Sequence, residues 1–178
     1  MMYFFLYRLL TIILSPVILG HILWKAFQHG QISYLLQRCG FDYPAGDDGC
    51  LWFHCASVGE VNTLLPLLRH IHEQKPDEHF YITTNTITGA SIVERQRLDY
   101  LHHIYLPFDW SFSTRRLLRR LRPRALFILE TEIWPNLIRQ CHRADIPVQI
   151  INARLSIKTL SANGFVKGLL ATSLGQVR

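Results

Sequence analysis

The sequence predicts an α/β fold: a parallel sheet with helices on both faces, preceded by an apolar helix. Three observations predict it. From Cys50 onward, apolar runs of strand length alternate with amphipathic stretches of helix length. Each apolar run ends in a loop dense in hydroxyl, amide, carboxylate or arginine groups. The segment before them, residues 1–27, is apolar except for Arg8, His21, Lys25 and a few neutral polar residues. Strand-like runs alternating with helical ones describe βαβ units, which require parallel strands and default to right-handed crossovers.

The chain has 178 residues, enough for one domain with a sizeable core. With 49% hydrophobic and 18% charged residues it is not a disordered chain. Its net charge of +6 suggests an anionic partner: a nucleic acid, a phosphorylated metabolite or an acidic membrane surface. Cys39, Cys50, Cys55 and Cys141 form no CxxC pair, and the Cys50/Cys55 spacing fits no zinc pattern. They read as reduced thiols of a cytosolic domain. His70 and His72 would diverge on a helix, and His102 and His103 would face opposite sides of a strand. No metal site and no cofactor are expected.

Leu9–Trp24 alone is short of the ~20 apolar residues a membrane span needs, but with Tyr3–Tyr7 included the segment is long enough if Arg8 snorkels, and Tyr3, Phe4, Tyr7 and Trp24 would form interfacial belts. They read as an anchor helix; the alternative is a buried helix broken at Pro16. Residues 28–49 form a connection whose helix, ISYLLQRCG, should stop at Gly40. CLWFHCA, HFYITT, HHIYLP, ALFILE and PVQIIN are the strands. The intervening helices are expected at Asn62–His72, Gly89–Leu98, Ser111–Leu121 and Trp134–Arg143, with a last one around Ile157–Leu170. In STRRLLRRLRPR, Leu117, Leu118 and Leu121 share one helix face and most of the six arginines take the other. That is a solvated face or a contact for anionic lipid. Lacking interleaved aromatics or a known motif, it does not predict a nucleic-acid partner.

In open parallel sheets, ligands bind beyond the carboxyl ends of the strands. The loops there are SVGE, TNTITG, PFDW, ETEIWPN and NARLS. Each alone could be a cap or turn, with Ser57, Thr88 and Asn152 as capping residues. Together they suggest a ligand edge. Glu60 is open to two readings: a first-turn acid complementing a helix dipole, or a general base near a substrate hydroxyl. Gly59 would permit close approach of a ligand. Glu130 and Glu132 would point to the same side if their strand continued, and would repel unless something compensates. Pro135 suits the first turn of the helix that follows.

The stretches HCASVGEVNTLLPLLRHI, YITTNTITG, IYLPFD, ILETEIWPNLI and IPVQIINARLS occur in one order from about Trp52 to Ser156. They resemble the amino-terminal domain of 3-deoxy-D-manno-octulosonic acid (Kdo) transferases. The resemblance implies a GT-B glycosyltransferase, two Rossmann-like halves facing a cleft, of which this is the amino-terminal half. That half would receive the lipid A precursor (lipid IVA), and a carboxyl-terminal half would bind CMP-Kdo. Transfer would be inverting and would serve lipopolysaccharide biosynthesis on the cytoplasmic side of the bacterial inner membrane. It implies Glu60 as proton acceptor and Glu130 as transition-state stabiliser. The acceptor-binding residues expected are Ser57, Gly59, Thr86, Gly89, Glu132, Asn136 and Arg154. The expected division is an anchor at 1–27, a connection at 28–49 and the glycosyltransferase domain at 50–178, with the donor domain absent. So divided, the chain is expected to bind acceptor without transferring sugar. The competing reading is a non-catalytic, membrane-associated α/β module that keeps only the acceptor surface.

Overall fold

The computed structural model describes residues 2–130, 132–153 and 163–177. Three helices come first: α1 (Met2–Ile13), α2 (Ser15–His29) and α3 (Ile32–Arg38). Strands and helices then alternate: β1 (Leu51–Cys55), α4 (Val58–Gln74), β2 (Phe80–Thr84), α5 (Ile87–Glu94), β3 (Leu101–Tyr105), α6 (Ser111–Leu121), β4 (Ala125–Leu129), α7 (Pro135–Arg143) and β5 (Val148–Ile151). A last helix, α8, spans Gly164–Leu174. The strands form one all-parallel sheet in the order β3-β2-β1-β4-β5.

Alternation within the strands supplies two cores. Trp52, Ile104, Leu126, Ile128 and Val148 pack against Leu117, Leu121, Leu137, Ile138 and Cys141 of α6 and α7. Phe53, Cys55, Phe80, Ile82 and Leu129 pack on the opposite face against Val61, Leu64, Leu65 and Leu68 of α4 and Val93 of α5. Burial on both faces is why the strands read as nearly continuous apolar runs. Strand order reverses between β1 and β4, so the carboxyl ends of these two strands flank the crevice where ligands bind in such sheets.

The helix of α6 falls where the sequence placed it, with its leucines buried and Arg115, Arg116, Arg119 and Arg120 exposed. α5 begins earlier than expected, because Thr86 rather than Thr88 caps it, accepting a hydrogen bond from the Gly89 N–H at 3.1 Å. α3 ends before Gly40, whose φ of 94° suits glycine. An added Cβ there would lie 2.5 Å from the Ser113 Cβ, so the close approach of α3 to α6 also requires it. The expected helix around Ile157–Leu170 lies partly outside the described residues; α8 begins at Gly164, with Asn163 as its N-cap.

The amino-terminal apolar segment is two helices bent by 53° rather than one. The break falls just before Ser15, and Pro16 occupies the first turn of α2, where its missing N–H costs nothing. Among the described residues no single helix is long and apolar enough to cross a membrane, although the bent pair together has the composition. α1 is docked on the domain. Tyr7 donates a hydrogen bond to Asp109 at 2.9 Å, and Arg8 reaches Asn136 at 3.0 Å and also Ser111. The Arg139 guanidinium lies 4.6 Å from the Phe4 ring centroid. Arg8 therefore anchors the helix to the domain rather than extending along it toward solvent. The outward face keeps Phe5, Ile12, Ile13, Val17, Trp24 and Phe27 exposed, Phe27 at 91%.

Candidate functional site at the β1/β4 crevice

Ser57 ends the extended chain after β1 and caps α4. Its Oγ accepts from the Glu60 N–H at 3.3 Å and donates to Glu60 Oε1 at 2.7 Å. Glu60 Oε2 accepts from the Ala56 N–H at 2.8 Å. This is a capping box displaced by one residue, the carboxylate accepting from the residue before the N-cap, so the cap reading of Glu60 is realised in the structure. It does not consume the carboxylate: each oxygen carries two lone pairs, and each has one protein donor. Glu60 is only 7% exposed, held rigidly at the carboxyl end of β1 between the exposed Ser57–Gly59 turn and the sheet.

Glu130 follows β4 directly. Its N–H extends the sheet ladder by one bond, to the Ile151 carbonyl at 2.9 Å. Its backbone then turns left-handed, with φ at 57°. This conformation costs a residue with a Cβ roughly 1 kcal/mol or more, and glutamate has no local device to offset it. Glu130 and Glu132 would point to the same side only on a continuing strand, and that condition is not met: β4 stops at Leu129, and the turn at Glu130 breaks the two-residue period. The Glu132 carboxyl is raised above the usual carboxylate range, first by burial, then by the charge of Glu60, and then by that of Glu130. Glu60 and Glu130 thus stand at the carboxyl ends of β1 and β4, the two strands that flank the crevice.

The remaining expected residues divide. Ser57 and Gly59 are exposed at the crevice. Thr86 and Gly89 form the first turn of α5, at the carboxyl end of the neighbouring β2; Gly89 is buried and close to Thr84. Asn136 is not at the surface: it is fully buried, its amide donating to the Asp109 carbonyl at 2.6 Å and its Oδ1 accepting from Arg8. Its part is to lock α7 to the β3–α6 loop and to α1. Arg154 lies outside the described residues.

Three residues that frame this edge were not singled out as site residues in the sequence. Asp109, 1% exposed, accepts from the Asn136 and Leu137 N–H groups at 2.8 Å each, capping α7, and from Tyr7. Burial pushes its pKa up to about 7 although these hydrogen bonds and Arg8 oppose the shift. Arg38, 7% exposed, donates to Asn85 Oδ1 at 2.9 Å and to the Leu106 carbonyl, tying α3 to the loops after β2 and β3. Buried His54 is held neutral, its pKa lowered to about 3 by desolvation, with Nδ1 3.0 Å from Thr83 Oγ1. Only PFDW, with an acid inside an apolar loop, carried a signal for any of these. Beside them, an open apolar groove of about 570 Å³ runs between α1, α2 and the start of α6, lined by Ile12, Leu19, Phe41, Trp110 and Phe112, with Arg8 at its wall.

A family model described as 3-deoxy-D-manno-octulosonic-acid transferase (kdotransferase) matches residues 33–178. A Haemophilus influenzae protein named 3-deoxy-D-manno-octulosonic acid transferase is 36% identical over 184 residues, covering 99% of this chain and 42% of that protein. An Arabidopsis thaliana protein, "Probable 3-deoxy-D-manno-octulosonic acid transferase, mitochondrial", is 35% identical over 86% of this chain and 35% of its own length. A Bordetella pertussis protein with the transferase name is 31% identical over 85% of this chain and 35% of its own. The chain therefore spans less than half the length of these relatives. Among solved structures, the GsuK RCK domain matches with a TM-score of 0.48 at 13% identity over 74% of this chain and 26% of that one, too distant to carry an argument.

Proposed function

The chain belongs to the 3-deoxy-D-manno-octulosonic-acid transferase family, and on that premise we propose that it is the acceptor-binding half of an inverting glycosyltransferase of lipopolysaccharide biosynthesis. The observation that carries the reading is the placement of Glu60 just after β1 and of Glu130 just after β4, at the carboxyl ends of the two strands where strand order reverses. In the reaction, a glucosamine hydroxyl of the lipid A precursor attacks the anomeric carbon of Kdo in CMP-Kdo. Its proton passes to Glu60, the new C–O bond forms, and the bond to the CMP phosphate breaks with its electron pair leaving on CMP. Glu60 suits the base because the capping box fixes its position while leaving lone pairs free. Glu130 suits the second role, since a carboxylate beside an anomeric centre that becomes oxocarbenium-like opposes the developing positive charge. Its strained backbone supports a functional reason for glutamate at that turn. The donor would be held by a second α/β half, as the resemblance implies.

The acceptor is a lipid, and two features of the carboxyl edge support its delivery from a membrane surface. The groove lined by Trp110 and Phe112 suits an acyl chain, and the outward face of α1 and α2 suits the interfacial region of a bilayer. The membrane is proposed to be the bacterial inner membrane, contacted from its cytoplasmic side, with α1 and α2 lying in the interface rather than crossing it. The test is transfer of labelled Kdo from CMP-Kdo to lipid IVA by an enzyme carrying this chain, with the anomeric configuration of the product read by NMR. An inverted linkage is expected. A retained linkage, or transfer to water alone, would overturn the reading.

A further inference from the structure

At the opposite edge of the sheet, where β1, β2 and β3 begin, three side chains far apart in sequence come together: Asp47, His79 and His102. Their ligand atoms form a small triangle. Asp47 Oδ2 lies 3.3 Å from His79 Nδ1 and 3.8 Å from His102 Nε2, and the two nitrogens lie 3.4 Å apart. Ligands about 2.0–2.1 Å from a tetrahedral zinc ion are separated by roughly 3.3–3.4 Å. We infer that Asp47, His79 and His102 form a binding site for a transition-metal dication of the zinc type, with a fourth position open to water.

Two further features support the site. The imidazole planes differ by 3° with centroids 5.7 Å apart, the separation of two coplanar rings whose nitrogens face each other. Modest rotation about the side-chain torsions would aim both lone pairs at a common point beside Asp47. Tyr81 donates a hydrogen bond to the same Asp47 oxygen at 3.2 Å, orienting the carboxylate from outside the triangle, as metal-bound carboxylates usually are. The surroundings carry both signs: Asp48, Asp77 and Glu78 line the small cavity beside Asp47, and Arg124 lines it too, paired with Glu78 at 2.7 Å. The chain ligated is informative too. Asp47 sits on the connection before β1, while His79 and His102 sit at the starts of β2 and β3, so the ion would staple that connection to the sheet. It is a stabilising site, independent of the chemistry at the other edge. The sequence predicted no metal because its spacing rules see local pairs, and these ligands meet only through the parallel register that sets Tyr81 beside His102.

The test uses the purified full chain, freed of metal by chelation and titrated with zinc chloride. Zinc retained after gel filtration and the thermal midpoint are measured. One zinc per chain and a midpoint raised by several degrees are expected. Magnesium should do neither, being an octahedral, oxygen-seeking ion. Both effects should vanish in His79→Ala and His102→Ala, and in Asp47→Asn, which keeps the side-chain shape should a histidine variant fail to fold. They should persist in His70→Ala, which removes a separate exposed histidine paired with Glu73. Cobalt(II) at the site should show the intense visible absorption of tetrahedral coordination. Zinc binding that survives the His79 and His102 substitutions would be adventitious and would overturn the site, as would no retained zinc or a weak octahedral cobalt spectrum.

Discussion

Replacing Glu60 by glutamine separates its two roles. The capping box needs an acceptor for the Ala56 N–H, 2.8 Å from Oε2, and a polar partner for the Ser57 hydroxyl, 2.7 Å from Oε1. Glutamine supplies both: its carbonyl oxygen accepts from Ala56, and its amide donates to a Ser57 Oγ whose hydroxyl has turned. Glutamine is an accepted residue at this position of the box, so Glu60→Gln should cost about 0.5 kcal/mol or less. Glu60→Ala removes the box and strands a partly buried N–H, together about 2–3 kcal/mol. For a chain of this size that is a midpoint drop of roughly 5–10 °C, against about 2 °C or less for glutamine. A general base is different, because glutamine cannot take a proton. Turnover of a Kdo-transferring enzyme carrying Glu60→Gln should fall by about 10²–10⁴. The assays are thermal unfolding and transfer of labelled Kdo to lipid IVA. Near-normal turnover in Glu60→Gln beside a large loss in Glu60→Ala would show that Glu60 acts only as a cap, and would refute its assignment as base.

Three further outcomes are expected. Asp109 has a folded-state pKa near 7, above the ordinary carboxylate value, so the native state binds its proton more tightly and its effect on stability runs opposite to that of a salt-bridged acid. The stability of the wild type relative to Asp109→Asn should therefore fall as pH rises from about 4 to 7, by up to about 4 kcal/mol, and level off above; urea unfolding at a series of pH values measures it, and a difference that grows with pH contradicts it. Gly40→Ala should destabilise by about 2 kcal/mol or more, because φ is 94° and the new methyl meets Ser113, while a midpoint unchanged within 1 °C or so would show that α3 and α6 part easily. Trp24→Ser with Phe27→Ser, both on the exposed face of α2, should reduce partitioning onto anionic vesicles by about tenfold or more without lowering the midpoint; unaltered vesicle binding would remove α2 from the membrane contact.

The sheet was legible because the central strands are buried on both faces and every strand is bounded by polar punctuation, and α6 because its leucines and arginines separate cleanly. Glu60 was legible in position but not in its partners, since S-x-x-E is both a capping box and a place for a base. The turn at Glu130 was not legible: glutamate has no preference for left-handed backbone, so nothing in ETE signals that the strand stops. Asn136 looked like a loop amide because WPN reads as a helix start. Its burial depends on Asp109 and Arg8, which reach it from distant parts of the chain. The amino-terminal segment had the composition of a span, and composition does not reveal that Tyr7 and Arg8 have partners on the domain.

The central claim is that this chain recognises the acceptor. Equilibrium binding of lipid IVA to the purified chain, in a detergent that keeps both monomeric, tests it most directly. The account predicts saturable one-to-one binding that CMP-Kdo does not displace and that Glu132→Lys weakens, since Glu132 shares the crevice with Glu60 and Glu130. Binding of CMP-Kdo with no saturable binding of lipid IVA would contradict it.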